Sequence, residues 1–343
     1  MTPANRNKLL FGLLSISLIG LFLINIGTGS VAIPLKEILN SLIGNEVSKK
    51  SWEYIILNYR LPKAITAILA GMGLSISGLL MQTLFRNPLA GPYVLGLSSG
   101  ASLGVAFIIL GAGLLPTFLR ELVVSSYGIV IASTLGSFSV LLAVLFVSRQ
   151  LRDTMAILIV GLMFGNFTSA IVGVLTYFST AEQLQKFTFW SLGSLGNLSW
   201  TAIIILFSTV LIGLILSLIS IKPLNALLLG ENYARSLGIN FGKVRFIIII
   251  ATSLLAGSIT AFAGPIAFVG LAVPHMAKLV FQTSNHAVLF WGTLLLGAAI
   301  MLLCDCLSQL PGSEMTLPIN AITSLIGAPV VIWLLLRKRK MMN

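Results

Sequence analysis

An all-α, polytopic membrane protein with about ten transmembrane helices is the fold class this sequence predicts, and three observations predict it. Hydrophobic residues fill 57% of the 343 positions and charged residues only 9%, against roughly 25% charged in soluble domains. The apolar residues fall in runs of about 20, the length that crosses roughly 30 Å of hydrocarbon. The basic residues gather in the gaps between those runs. With a mean hydropathy of +1.03, the chain has too little polar surface for a soluble enzyme, a secreted domain or a disordered tail.

Ten segments meet the length requirement: 8–28, 61–83, 92–114, 122–147, 154–177, 200–220, 244–263, 266–282, 287–309 and 317–336. The first has no small-residue cleavage site and reads as a span rather than a removed leader. The second and third carry Gly71, Gly73 and Gly78, then Gly96, Gly100 and Gly104. Small residues at such spacing let helices approach closely. Arg149 and Arg152 follow the fourth, and Trp200 opens the sixth at the depth of an interfacial anchor, as Trp190 does before it. The seventh and eighth are separated only by Gly264-Pro265, so one broken helix is the alternative. The ninth contains Asp305, and the tenth ends on the basic cluster Arg337–Lys340.

Charge fixes the orientation. With the N-terminus in the cytoplasm, fourteen of the 21 basic residues lie inside and seven outside, as the positive-inside rule requires. Nine spans would place Arg337–Lys340 outside, so ten is the expectation, with both termini in the cytoplasm. The net charge of +12 is explained by this topology, and nucleic acid is not an expected partner. The chain reads as one transmembrane domain, 1–343, with no large soluble domain. Its loops include two outer stretches, 29–59 (with a short surface helix expected near Lys36) and 178–199, and one substantial inner loop, 221–243.

Three places concentrate functional signals. Arg86-Asn87-Pro88, followed by Gly91-Pro92, cannot continue a helix. It is either an interfacial turn or an element beside a pore or gate. Leu228–Asn240, bounded by Gly230 and Gly238, reads as a short amphipathic helix with Glu231 and Arg235 at i, i+4. On the inner face it is either a lipid-surface helix or a docking element for a soluble partner. Gly264-Pro265 and Pro274 interrupt helical bonding near His275, which reads as a solvated or packing side chain. Asp305 is an ionisable group within a span, a costly placement that implies a pathway contact or a helix cap.

Enzyme signatures are missing. Near Gly242-Lys243 the phosphate-loop pattern fails at Leu237 and Val244; G-x-G-x-x-G fails at Ile76; no H-E-x-x-H occurs. Two histidines cannot build a histidine metal cluster. Cys304 and Cys306, two apart on an apolar helix, read as fillers. No row of buried carboxylates suggests ion coupling, so a borrowed engine is the simplest expectation, with an ion-coupled secondary transporter as the rival of another class.

Five blocks in order carry a resemblance: RLPK at 60–63, GLLMQTLFRNPLAGPYVLGLSSGA at 78–101, LLGENYARSLGIN at 228–240, AGPIAFVGLAVPHMAK at 263–278 and LPINAITSLIGAPVVIWLL at 317–335. The sequence resembles the FecCD-type permeases of bacterial ABC importers for iron-siderophores, haem and cobalamin. The resemblance implies the type II ABC importer permease fold and a transport subunit without enzymatic activity. It implies a homodimer or paired permease, two cytoplasmic ATPase subunits that hold ATP and Mg, and an extracytoplasmic substrate-binding protein. No cofactor is expected on this chain. Carried over by position, Glu231, Ala234, Arg235, Leu237 and Gly238 form the coupling element that meets the ATPase. Arg60 and Lys63 face the binding protein; the family often has arginine where this chain has Lys63, and lysine lacks the bidentate fork. An outer basic residue common between the last two spans is replaced here by Glu314. Arg86, Asn87, Pro88, Gly264, Pro265 and Asp305 are the expected neighbours of a gate or pathway. Iron-siderophore is the first expectation for the cargo, with haem or cobalamin as the alternative.

Overall fold

The computed structural model describes residues 3–114, 125–150, 154–196, 198–309 and 316–340. All regular elements there are helical: α1 Pro3–Gly27, α2 Leu35–Ile43, α3 Lys50–Ile55, α4 Leu61–Leu84, α5 Leu97–Ile109, α6 Ser126–Gln150, α7 Thr154–Tyr177, α8 Ala181–Ser191, α9 Trp200–Ile219, α10 Ile221–Leu227, α11 Glu231–Ser236, α12 Phe241–Ala263, α13 Val269–Phe281, α14 His286–Ser308 and α15 Ile319–Lys340. A π-helical turn, Ile56–Arg60, joins α3 to α4.

The expected ten spans are corrected. Among the described residues, seven helices are long and apolar enough to cross a membrane. Three more apolar helices, Leu97–Ile109, Val269–Phe281 and Ile319–Trp333, are shorter. At 13 residues each, α5 and α13 reach only about 20 Å at about 1.5 Å per residue. Gly and Pro shortened them. Gly91-Pro92 leads into a 3₁₀ turn ending at Gly96, which has a left-handed φ of 76°, and α5 starts only after it. Ala263 ends α12, and Gly264-Pro265 is not helical, with Gly264 at a positive φ, before α13 opens at Val269.

Helix α4 is the hub. Its apolar window is 83% buried, against 11% for α1, because α14, α12, α13 and α9 all pack on it. Lipid tails give helices no hydrophobic reason to associate, so close packing must do it. Glycine supplies that closeness. A Cβ placed on Gly78 would lie 1.6 Å from the Gly270 carbonyl oxygen, and one on Gly71 would lie 2.2 Å from that of Gly297. The α5–α6 crossing uses the same device, with Gly100 against Gly136 and Gly104 against Ala132.

The outer stretch 29–59 holds α2 and α3, where one short helix was expected. The stretch 178–199 holds α8, opened by a capping box between Thr180 and Gln183. Trp200 is exposed, as an anchor should be, whereas Trp190 packs beside Phe187 against the outer end of α5. Glu314, Arg120, Arg152 and Asp153 lie outside the described residues.

Candidate functional site

The predicted residues separate into three places. At the outer end, Asp305 is 1% exposed and accepts from several donors. Lys63 Nζ lies 3.0 Å from Oδ1. Asn25 Nδ2 and Gln309 Nε2 donate to Oδ2 at 2.8 and 3.0 Å. Asp305 therefore closes a polar cluster joining α1, α4 and α14, which compensates a carboxylate that would be costly alone.

Arg60 sits one turn further out and is buried. Its guanidinium donates to the carbonyls of Ile26 and Gly27 at 2.8 and 3.1 Å, and also to that of Val31. These include orphan carbonyls at the end of α1. Of the two residues expected to face a binding protein, Arg60 is thus turned inward onto backbone, and Lys63 is ion-paired within the chain. The sequence showed an ionisable group within a span and two basic residues near the outer surface, but not that they meet.

At the break between α12 and α13, lipid offers no partners for irregular backbone, and the chain supplies them. Tyr93 Oη accepts from Ile266 N at 3.3 Å, and Asn320 Oδ1 accepts from Ala267 N at 3.0 Å. Ser194 N donates to the Ala263 carbonyl at 2.8 Å. Gly264 has φ 75°, and a Cβ there would lie 2.7 Å from the Trp190 carbonyl oxygen. Phe268, with φ 66°, is seated against Gly327 of α15. Gly264 and Pro265 are therefore a braced junction of four chain segments.

The Arg86-Asn87-Pro88 turn lies at the opposite, inner end of α4. Arg86 takes the left-handed φ of 46°, uncommon for a side chain other than Gly, Asn or Asp. Asn87 Oδ1 caps Leu89 N at 2.9 Å. Arg86 donates to the Leu227 carbonyl at 3.4 Å, so the turn touches the inner loop. The structure separates it from Gly264, Pro265 and Asp305, with which it was grouped.

The inner loop is two short helices. Helix α10 packs inward through Leu224 and Leu227. Helix α11 is narrower than the 228–240 expected, cut by Gly230 at φ 114° and Gly238 at φ 80°. Ala234 is buried, while Leu229, Tyr233 and Leu237 are 68%, 50% and 58% exposed. Tyr233 and Leu237 stand one helical turn apart, and Leu229, across the non-helical Gly230, is exposed as well. Leu229 and Tyr233 were not singled out from sequence, although apolar residues on the inner loop were there to read. The side chain of Glu231, expected to pair with Arg235, lies outside the described residues.

Beside α10, His286 is 2% exposed. Asn225 Oδ1 accepts from its backbone N at 2.8 Å and faces ring Nδ1 at 3.0 Å. Ring Nε2 lies 2.8 Å from Thr83 Oγ1. Sequence reasoning missed this cluster, because its members stand on α10, α14 and α4. Among the described residues no group of three or more His, Cys, Asp or Glu could hold a metal ion.

Hydrophobic helices converging on a glycine-faced hub, with irregular segments braced inside, define an all-α polytopic membrane permease. The chain belongs to the FecCD transport family, whose model matches residues 17–337. It is 34% identical over 334 residues to the hemin transport system permease protein HmuU of Yersinia pestis, covering 97% of each. It is 35% identical over 322 residues to the vitamin B12 import system permease protein BtuC of Salmonella typhi, covering 91% of this chain and 94% of that one. An inward-facing structure of a metal-chelate type ABC transporter superposes with TM-score 0.83 at 30% identity, covering 96% of this chain and 99% of that one. The PsaBC structure from Streptococcus pneumoniae shares the fold alone, at TM-score 0.54 and 17% identity. As a member of this family the chain is a multi-pass inner-membrane transport subunit.

Proposed function

We propose that this chain is the membrane subunit of an ABC importer whose cargo is a metal-bearing macrocycle of the haem or cobalamin class. The similar permeases are named for hemin and for vitamin B12, which favours that class over the iron-siderophore expected first. In this reading 1–343 is one translocation domain that crosses ten times. The three short helices complete their crossings with the flanking turns, and both termini stay inside, as the basic residues require. It works as a pair, with a second copy or a related permease.

The observation that carries the reading is the exposure of the apolar residues Leu229, Tyr233 and Leu237 on the inner loop, around buried Ala234. Apolar side chains exposed together on a water-facing loop ask for a cover, and a groove on an ATPase subunit supplies one. Glu231, Arg235 and Gly238 frame that contact, so 221–243 is the coupling loop. At the outer face, Arg60 holds the rim in place. Lys63, whose side chain is 20% exposed, is the one of the pair that a binding-protein carboxylate reaches, by competing with Asp305. The rival, ion-coupled transport, needs a carboxylate able to bind and release an ion. Asp305 is held by Lys63, Asn25 and Gln309 instead.

The test is reconstitution. The chain, co-expressed with its ATPase and binding protein and placed in liposomes, should take up haemin or cyanocobalamin only with internal ATP. Tyr233→Glu should abolish co-purification of the ATPase. Uptake by the lone chain on an ion gradient, or a ferric siderophore as the only accepted cargo, would reject the proposal.

A further inference from the structure

The coupling loop must move something in the membrane, and the structure offers a specific joint. We propose that Asn225, His286 and Thr83 form the mechanical connection through which the inner loop drives α4 and α14. This rests on the reading of 221–243 as the coupling loop.

The geometry is asymmetric along the loop. Helix α11 packs chiefly on α10 and the start of α12, while α10 packs on α4, α9 and α14. Load applied to α11 therefore enters the bundle through α10 and α12. On α10, Asn225 reaches across to α14. Backbone N–H groups only donate, so the 2.8 Å contact from His286 N fixes the Asn225 side chain with its oxygen toward α14. That same oxygen then receives the proton of ring Nδ1 at 3.0 Å. In the neutral ring Nε2 is the acceptor that faces the Thr83 hydroxyl at 2.8 Å, where it shares that group's single proton with the Leu79 carbonyl at 3.0 Å, and Thr83 belongs to α4. Asn225 Nδ2 also donates to Asn285 at 3.3 Å, the N-cap of α14.

Asn225 thus occupies one of the orphan N–H groups at the start of α14 from a different helix. One side chain on the loop grips the first turn of α14, and the ring it grips ends on the hub helix. Buried hydrogen bonds of this kind are directional and costly to leave half made. The linkage transmits displacement where apolar packing alone would let α10 slide. Arg86 adds a second strut from the end of α4 to the Leu227 carbonyl.

None of these residues needs to touch cargo or nucleotide. They are positioning residues, and their loss should change coupling rather than binding. The complete transporter, with ATPase and binding protein in liposomes, is assayed for ATP hydrolysed and cargo imported together. Asn225→Ala should leave ATPase association and basal hydrolysis intact and lower cargo moved per ATP about tenfold, the equilibrium equivalent of one buried hydrogen bond. Asn225→Asp keeps the acceptor for both His286 donors and suits a helix N-terminus, so it should restore most of the ratio. Thr83→Val, close to isosteric, should lower the ratio in the same direction and serves if Asn225→Ala does not fold. An unchanged ratio in folded Asn225→Ala or Thr83→Val overturns the proposal, as does equal impairment in Asn225→Ala and Asn225→Asp. Failure of the wild-type chain to hold an ATPase would instead overturn the coupling reading beneath it.

Discussion

Lys63→Met tests the outer cluster most sharply. In the wild type Lys63 Nζ stands 3.0 Å from an Asp305 carboxylate that is 1% exposed. At an effective dielectric near 20, two unit charges at that distance attract by about 5 kcal/mol. Desolvation of the carboxylate offsets several of these, so the pair as a whole contributes little net stability. Truncating one partner is different, because Met leaves the carboxylate buried. Asn25 and Gln309 still donate to it, which places the cost near the low end of the range for a broken buried pair, about 3 kcal/mol. Asp305→Asn can place its one acceptor oxygen where both of those amides donate, and removes the charge. In the double variant no charge is left unpaired, and its cost should fall to about 1 kcal/mol, below that of Lys63→Met alone. The assay is thermal unfolding of the purified chain in one detergent, read as a double-mutant cycle. A double variant as unstable as the sum of the two singles would refute the reasoning. It would mean that Lys63 and Asp305 do not act as a pair.

Two further predictions concern close packing. Gly78→Ala puts a Cβ on the Gly270 carbonyl, where the obstacle is backbone and no rotamer relieves it; it should destabilise by about 3 kcal/mol or more. Gly20→Ala, with nothing within 4 Å of the added Cβ, should be neutral or stabilising by up to about 1 kcal/mol, and equal unfolding temperatures for the two would contradict the packing account. At the braced break, Tyr93→Phe removes the acceptor from Ile266 N, and loss of a buried partner should cost about 1–3 kcal/mol; hydrogen exchange should rise at residues 264–268 and stay unchanged in α1.

The sequence made the breaks readable and left their surroundings hidden. Gly264-Pro265 announced a stop in α12 because glycine and proline act locally on the backbone. That the stop is braced by Tyr93, Asn320 and Ser194 was not readable, because those residues come from segments far apart in the chain. Gly96, Gly100 and Gly104 disclosed a close-packing face through their spacing, but not that Gly136 and Ala132 would be opposite. Asp305 was recognised as costly, and Lys63 as basic and near the outer surface. Only the crossing of α4 and α14 makes them a pair. Arg86 and Gly264, both expected beside a gate or pathway, stand at opposite ends of the bundle.

By itself, then, the sequence determined that the chain lives in lipid, which end of each helix meets the cytoplasm, and where helices must stop. Those follow from hydrophobicity, charge and backbone geometry, which each residue carries wherever it is placed. Tertiary structure alone decided which basic residues turn inward, and that Asn225, His286 and Thr83 meet. Hydrogen bonds and ion pairs depend on distances of about 3 Å between groups, and residues 225, 286 and 83 reach that range only once α4, α10 and α14 have packed.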